Sequence, residues 1–195
     1  MQSKSAKIKL KDHWPSNFLP DETREFEEIT ESFPTMLAKL TDKSRVISIY
    51  KNFGKEGVGK VTSRKSLKSL IPQLEQEEDF TGVYLFWVHD EPFYTGISRG
   101  VIKRIHQHVK GSNHFSSSLS YTMGKEFHNE IESIKHTGTR KELDFDKFSG
   151  PFKKILRKEC QVSLLPIKGS TELYLFEVYV AVQLKLHYYN RFKTH

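Results

Sequence analysis

Cysteine is almost missing from this 195-residue chain, and its scarcity excludes several arrangements at once. A single thiol, Cys160, allows no internal disulfide and no all-cysteine metal site. Long apolar runs are missing as well: no stretch reaches the ~18 residues needed to cross a bilayer as a helix. The opening residues Met1-Gln2-Ser3-Lys4 lack the apolar core of a signal peptide, so a reducing, cytoplasmic setting is expected. The chain also has no internal repeat and no low-complexity tract.

What the chain does have is positive charge, unevenly placed. Its formal net charge is +7. Residues 1–80 hold 14 Lys/Arg against 13 Asp/Glu, whereas residues 81–195 hold 17 against 11, so the excess lies in the second part. A basic surface suits a polyanion, because neutralised phosphates release their counterions. A solvated basic surface with no partner is the plainer reading of charge alone.

The patterning places elements along the chain. Phe26, Ile29 and Phe33 have helical spacing in an acidic stretch after Pro20, and Pro34 either ends that helix or opens another through Met36, Leu37 and Leu40. Lys4–Lys11 reads as an edge strand or loose arm, and Arg45–Tyr50 as a strand leading into a glycine-rich turn over 54–59. Ser66–Leu74 reads as a short helix, with a charged connector over 75–79. From Gly82 the signal sharpens: Val83–Val88 is a β-branched and aromatic run, hence a buried strand. His89–Pro92 supplies a turn, and Phe93-Tyr94-Thr95 opens a second strand that stops at Gly96. So short a connection requires an antiparallel pair. Val101, Ile102, Ile105 and Val109 then form one helix face that ends at Gly111. Helices are expected around 117–136 and 145–158, a third strand over 161–167, and a strongly apolar, buried helix over 171–187.

Several side chains in this pattern carry chemistry. Tyr84 and Tyr94 lie on neighbouring strands, although tyrosines in sheets are usually there for packing. Arg104 and His108 are four apart and share a helix face beside the apolar stripe. Glu177 is isolated in Leu173–Val182, and a buried carboxylate must be paired, protonated or bound to a cation. Asn190 follows that helix among aromatic residues, where a turn role is as plausible as a site role. Together these groups suit phosphodiester hydrolysis, which needs a base or orienting group for water and cationic support for the phosphate.

Here the sequence resembles the GIY-YIG nuclease family. Its two strand motifs stand as Gly82-Val83-Tyr84 and Tyr94-Thr95-Gly96, with nine residues between the tyrosines of the first and second motif. The order continues with Arg104, ten residues after Tyr94, then His108, Glu177 within Leu175–Tyr179, and Asn190 within Tyr189–Phe192. Val83 and Thr95 replace the usual isoleucines, and both are strand formers.

The resemblance covers about 80–195 and implies an α+β core: a small antiparallel, about three-stranded sheet flanked by helices, with an insertion around 125–160. It leaves 1–79 as a mostly helical extension of unassigned role. By the same resemblance, Tyr84 is the general base or water-orienting group, assisted by Tyr94, and Arg104 clamps the scissile phosphate. His108 accepts or relays the tyrosine proton, and Glu177 holds one Mg²⁺ or Mn²⁺, with Glu172 as fallback. Asn190 positions Glu177 or the phosphate. His114, Tyr121 and Lys103 are weaker nucleic-acid contacts. The implied activity is that of a metal-dependent endonuclease acting on DNA before RNA. The competing reading is a basic, non-catalytic nucleic-acid-binding module with a degenerate nuclease core.

Other signals carry less. Gly54–Lys60 fits G-x4-G-K, but Val61 stands where a nucleotide-binding loop needs a hydroxyl. His106 and His108 point to different helix faces, so they do not share a metal. Asp144 and Asp146 read as an acidic helix start.

Overall fold

The architecture follows from one strand that is apolar on both sides. In the computed structural model, which describes residues 24–53, 67–190 and 192, strand β2 (Gly82–Val88) runs through the middle of a four-stranded antiparallel sheet. Strand β1 (Ile47–Ser48) lies at one edge and β3 (Glu91–Ser98) at the other; β4 (Gln161–Pro166) sits between β1 and β2. Alternation sends Val83, Leu85 and Trp87 to one face and Tyr84 and Phe86 to the other. Both faces are covered, which explains why β2 reads as a continuous apolar run.

One face is packed by helices α1 (Phe26–Glu31), α2 (Phe33–Thr41) and α8 (Ser170–Gln183), through Ile29, Phe33, Leu40, Phe176 and Val180. The other is packed by α3 (Ile49–Phe53), α4 (Leu67–Leu70), α5 (Val101–Lys110) and α7 (Gly150–Lys158). Residues 26–53 and 67–74 thus enter the same two apolar layers as the sheet. Helix α6 (Ser118–Ile131) and a π-helical turn, Phe145–Ser149, build a satellite cluster on Tyr121, Leu143 and Phe148. Among the described residues no helix is long and apolar enough to cross a membrane.

Several local expectations change in register. The sheet has four strands where about three were expected. The fourth is the strand expected over Arg45–Tyr50, which joins the sheet and keeps only two residues, because the chain leaves the pleat after Ser48 and Ile49 starts α3. The β2–β3 turn is shorter than the expected 89–92: His89 (φ 48°) and Asp90 (φ 67°) both adopt left-handed backbone, the requirement of a two-residue primed hairpin turn. Strand β3 then runs from Glu91 past Gly96 to Ser98. The register slips between Phe86 and Trp87, and Pro92 is tolerated because β3 is an edge. Pro34 opens α2, in the first helical turn. The strand or arm expected at 4–11 and the 54–60 loop lie outside the described residues.

Candidate active site

The sequence brings Tyr84 and Tyr94 together through sheet register. Tyr84 pairs with Gly96 and Phe86 with Tyr94, so both tyrosines project from the face covered by α5. Their rings lie 6.2 Å apart, and Tyr94 is 6.0 Å from the His108 ring. A Cβ at Gly96 would run into the Tyr84 hydroxyl and ring, so the phenol lies across the one residue of β3 that leaves room for it.

Helix α5 is fixed at its start by a residue far upstream in the local pattern. The Asp79 carboxylate accepts the Ile102 N–H at 2.8 Å and the Lys103 N–H at 3.1 Å, where the N-cap residue, Gly100, has no side chain to do so. This is the only role seen near Lys103, whose side chain is exposed. Two turns along, His108 is fully buried and its Nε2 lies 2.9 Å from the Tyr84 hydroxyl. Ser117 donates to the His108 carbonyl at 2.7 Å, which ties α5 to the start of α6.

Arg104 is aimed by neutral acceptors: Ser118 Oγ at 2.6 Å, and the Ser116 carbonyl and Gln107 Oε1, each at 3.3 Å. Among the described residues it forms no ion pair, so its charge is held in place yet uncompensated. That is the state in which a guanidinium can clamp a phosphate.

Burial dominates the titration behaviour. It holds the Tyr84 phenol well above its ordinary value; Tyr94 adds to the rise and Arg104 opposes it. Tyr94 is raised by burial too, with Tyr84 opposing and the Glu177 charge adding to the rise. Burial, then Arg104, pushes His108 well below the usual imidazole range. The resting pair is therefore a neutral phenol against a neutral imidazole. Burial also pushes the Cys160 thiol up to about 12, so it is no nucleophile at neutral pH.

Glu177 approaches the tyrosines from the opposite layer, on α8 where that helix lies along edge strand β3. Among the described residues its carboxylate forms no ion pair or hydrogen bond, and burial pushes it up to about 7. Its setting differs from the expected all-round burial. Tyr174, Val178 and Val182 are 64%, 42% and 53% exposed, and α8 presents them as an open stripe. Mean apolarity could not reveal that the fold covers only one side of this helix. Glu172 pairs with Arg24 at 3.1 Å and is thus engaged elsewhere.

Among the described residues no group of three or more His, Cys, Asp or Glu gathers to form a metal cage. A hard divalent cation needs no such cage: Mg²⁺ is commonly held by one or two carboxylates, with water and substrate phosphate completing its shell. One half-buried carboxylate, unpaired among the described residues and close enough to Tyr94 for its charge to raise that phenol, fits that pattern.

Asn190 serves the scaffold. Its Oδ1 accepts the Thr95 N–H at 3.0 Å, and its Nδ2 donates to the Thr95 carbonyl at 2.7 Å. The side chain thus mimics a neighbouring strand on the open edge of β3 and fixes the segment between Tyr94 and Gly96. Removing it in Asn190→Ala leaves two buried backbone groups unpaired, each costing roughly 1–3 kcal/mol. We expect urea unfolding to show a loss of about 2 kcal/mol or more, and an unchanged midpoint would refute the role.

His114 and Tyr121 belong to a separate cluster. His114 is buried, bonds the Arg140 carbonyl and Ser149 Oγ, and lies between Tyr121 and Phe145 with its ring tilted against both. Arg140 lies over the Tyr121 ring at 4.8 Å. These contacts hold the segment around the π-helical turn onto α6. Asp144 caps that turn, accepting the Lys147 N–H at 2.9 Å, as an acidic helix start should.

Three positioning residues gave no local sequence signal: Asp79, Ser116 and Ser118. Asp79 acts on a helix more than twenty residues later, and the serines hold Arg104 from beyond its own helix. The chain was compared with protein-family models, with curated proteins and with solved structures, and no family model, no curated protein and no solved structure matches it.

Proposed function

We propose that this chain is a metal-dependent nuclease that hydrolyses phosphodiester bonds, with DNA as its substrate, and that it is GIY-YIG-like in mechanism. The observation that carries the reading is the convergence around Tyr94 on edge strand β3: Tyr84 bonded to buried His108, and Arg104 and Glu177, which among the described residues form no ion pair and whose charges both reach Tyr94. A purely structural tyrosine–histidine contact would not explain why, among the described residues, Arg104 is held only by neutral acceptors and Glu177 by no ion pair or hydrogen bond.

Glu177 would hold the divalent cation, which when bound supplies charge stabilisation at the scissile phosphate. Arg104 binds a non-bridging phosphate oxygen, and its serine and glutamine contacts keep it from swinging away. Tyr84 and Tyr94 orient the attacking water. With the imidazole proton on Nδ1, Tyr84 donates its proton to His108 Nε2 as it takes one from water, so no free phenolate is required at rest. The water oxygen then forms the new bond to phosphorus while the leaving oxygen departs and takes a proton from solvent.

This scheme predicts that Tyr84→Phe keeps its fold but lowers the nicking rate of supercoiled plasmid by about 10²–10⁴-fold, the range for a lost acid–base group. A rate within a few-fold of wild type would remove Tyr84 from the chemistry.

The pH dependence has a definite sign. Glu177 must be ionised to hold a cation, and burial sets it at about 7, so activity should fall as pH drops through about 7. His108 is held well below its usual range, so it stays neutral across that limb. Raising Mg²⁺ should move the limb to lower pH, because the cation competes with the proton. A limb that ignores metal concentration would contradict the assignment.

A further inference from the structure

A cleft of about 390 Å³ opens where the end of β3 meets the start of α8. Its walls include Thr81, Ser98, Arg99, Lys168, Ser170 and Tyr174, and none of its lining residues is acidic. Arg99 and Lys168 are both exposed, and among the described residues neither forms an ion pair. The Thr81 and Ser98 hydroxyls donate to the Arg99 and Gly100 carbonyls, so two cations and the Ser170 hydroxyl border a concave space with no acidic lining residue, which is the make-up of an anion site. The first turn of α8, whose N-cap Gly169 supplies no side-chain cap, adds open N–H groups at one wall.

The position of the cleft selects the anion. Ser170 and Glu177 are on one helix seven residues apart, a rise of about 10 Å at ~1.5 Å per residue. Ser98 and Tyr94 are likewise on one strand. Two of the four elements that carry the proposed active site, α8 and β3, thus run directly to the cleft. At ~3.4 Å per nucleotide step, 10 Å is roughly three steps along a nucleic acid strand.

We propose that this cleft is a phosphate subsite for the strand being cut, seating a backbone phosphate a few nucleotides from the scissile bond. The proposal rests on the nuclease reading, since that reading supplies the strand. Arg99 and Lys168 neutralise the phosphate, Ser170 supplies a hydroxyl contact, and the Tyr174 ring offers an exposed face beside it. Contacts to phosphate carry no sequence information, so the subsite sets position and affinity.

The test is fluorescence anisotropy of the full chain with a fluorescein-labelled DNA duplex, in EDTA to prevent cleavage, across a salt series. Wild type is compared with the double variant Arg99→Ala/Lys168→Ala and with a control on α7, Lys154→Ala/Lys158→Ala. Each phosphate lost should reduce the slope of log K against log salt by about 0.9. The cleft variant should thus lose about 0.9 in slope and about tenfold in affinity near 0.1 M salt, with the control close to wild type. Equal losses in both double variants would mean diffuse charge and overturn the subsite. Titration with inorganic phosphate separates the other source: if only free phosphate binding depends on Arg99 and Lys168, the site serves a small anion and the proposal falls. If wild type cuts DNA but the cleft variant keeps the wild-type slope, the subsite alone fails. If wild type neither binds nor cuts DNA, the nuclease reading fails and takes the subsite with it.

Discussion

Replacing Gly96 by alanine is expected to remove at least 99% of nuclease activity while leaving a folded protein. The new Cβ would overlap the end of the Tyr84 side chain. An exposed tyrosine could swing aside at little cost. Tyr84, however, is 1% exposed, is bonded to His108 and packs edge-on against Phe86 at 5.7 Å, so its hydroxyl must be displaced within a filled core. Overpacking of this kind costs about 1–3 kcal/mol in stability, a moderate fraction of what a domain has. A shift of about 1 Å in a reacting group costs roughly 10²-fold in rate, so the catalytic loss should far exceed the folding loss. Activity per folded molecule, with folding followed by circular dichroism, separates the two. Gly82 is the useful contrast. There the obstacle is the Leu165 backbone, so Gly82→Ala should distort the β2–β4 ladder and act mainly on stability.

The second large effect is at Glu177, and it has two sides that move oppositely. Glu177→Gln should abolish metal-dependent cleavage and yet make the metal-free protein more stable at pH 8. The sign follows from proton linkage. Burial raises the folded-state value to about 7 from the ordinary 4.5, so between these values the native state holds a proton that the unfolded state has released. Stability therefore falls as pH rises from about 4.5 to about 7, and the full penalty persists above that. At about 1.4 kcal/mol per unit the ceiling is roughly 3 kcal/mol, reduced by the part of the side chain that water reaches. The glutamine variant should show a higher melting temperature at pH 8 and none of that gain near pH 4.5. Mg²⁺ or Mn²⁺ should stabilise wild type at pH 8 and leave the variant unmoved, because a ligand of the folded state stabilises by mass action. A variant less stable than wild type at pH 8 would mean that Glu177 has a structural partner.

What could be read from the sequence was what local geometry dictates. The Tyr84–Tyr94 approach follows from a close hairpin, and Arg104 with His108 from four-residue spacing on a helix. The apolar-on-both-sides character of β2 was equally plain. Features that depend on tertiary placement were not legible. The strand expected over Arg45–Tyr50 is there but shrinks to Ile47–Ser48, because Ile49 and Tyr50 read as strand while serving the first turn of α3. The open stripe of Tyr174, Val178 and Val182 looks like core until the fold shows which side of α8 is covered. Asn190 could be placed near the site by order along the chain, but its double bond to the Thr95 backbone depends on where β3 leaves its free edge. Asp79, Ser116 and Ser118 act across long separations and need the structure to be seen at all.

The proposed function requires the Glu177 carboxylate, unpaired among the described residues, and the pair that Tyr84 on central strand β2 forms with His108 to cut nucleic acid with a divalent metal. Its most direct test is the single-turnover cleavage rate of plasmid and branched DNA at pH 8 with Mg²⁺, for wild type and Glu177→Gln side by side. Cleavage by wild type that is lost both in EDTA and in the glutamine variant, with the variant still folded, is the predicted result. Equal rates for the two proteins, or no cleavage by wild type with Mg²⁺ or Mn²⁺ on either substrate, would contradict it.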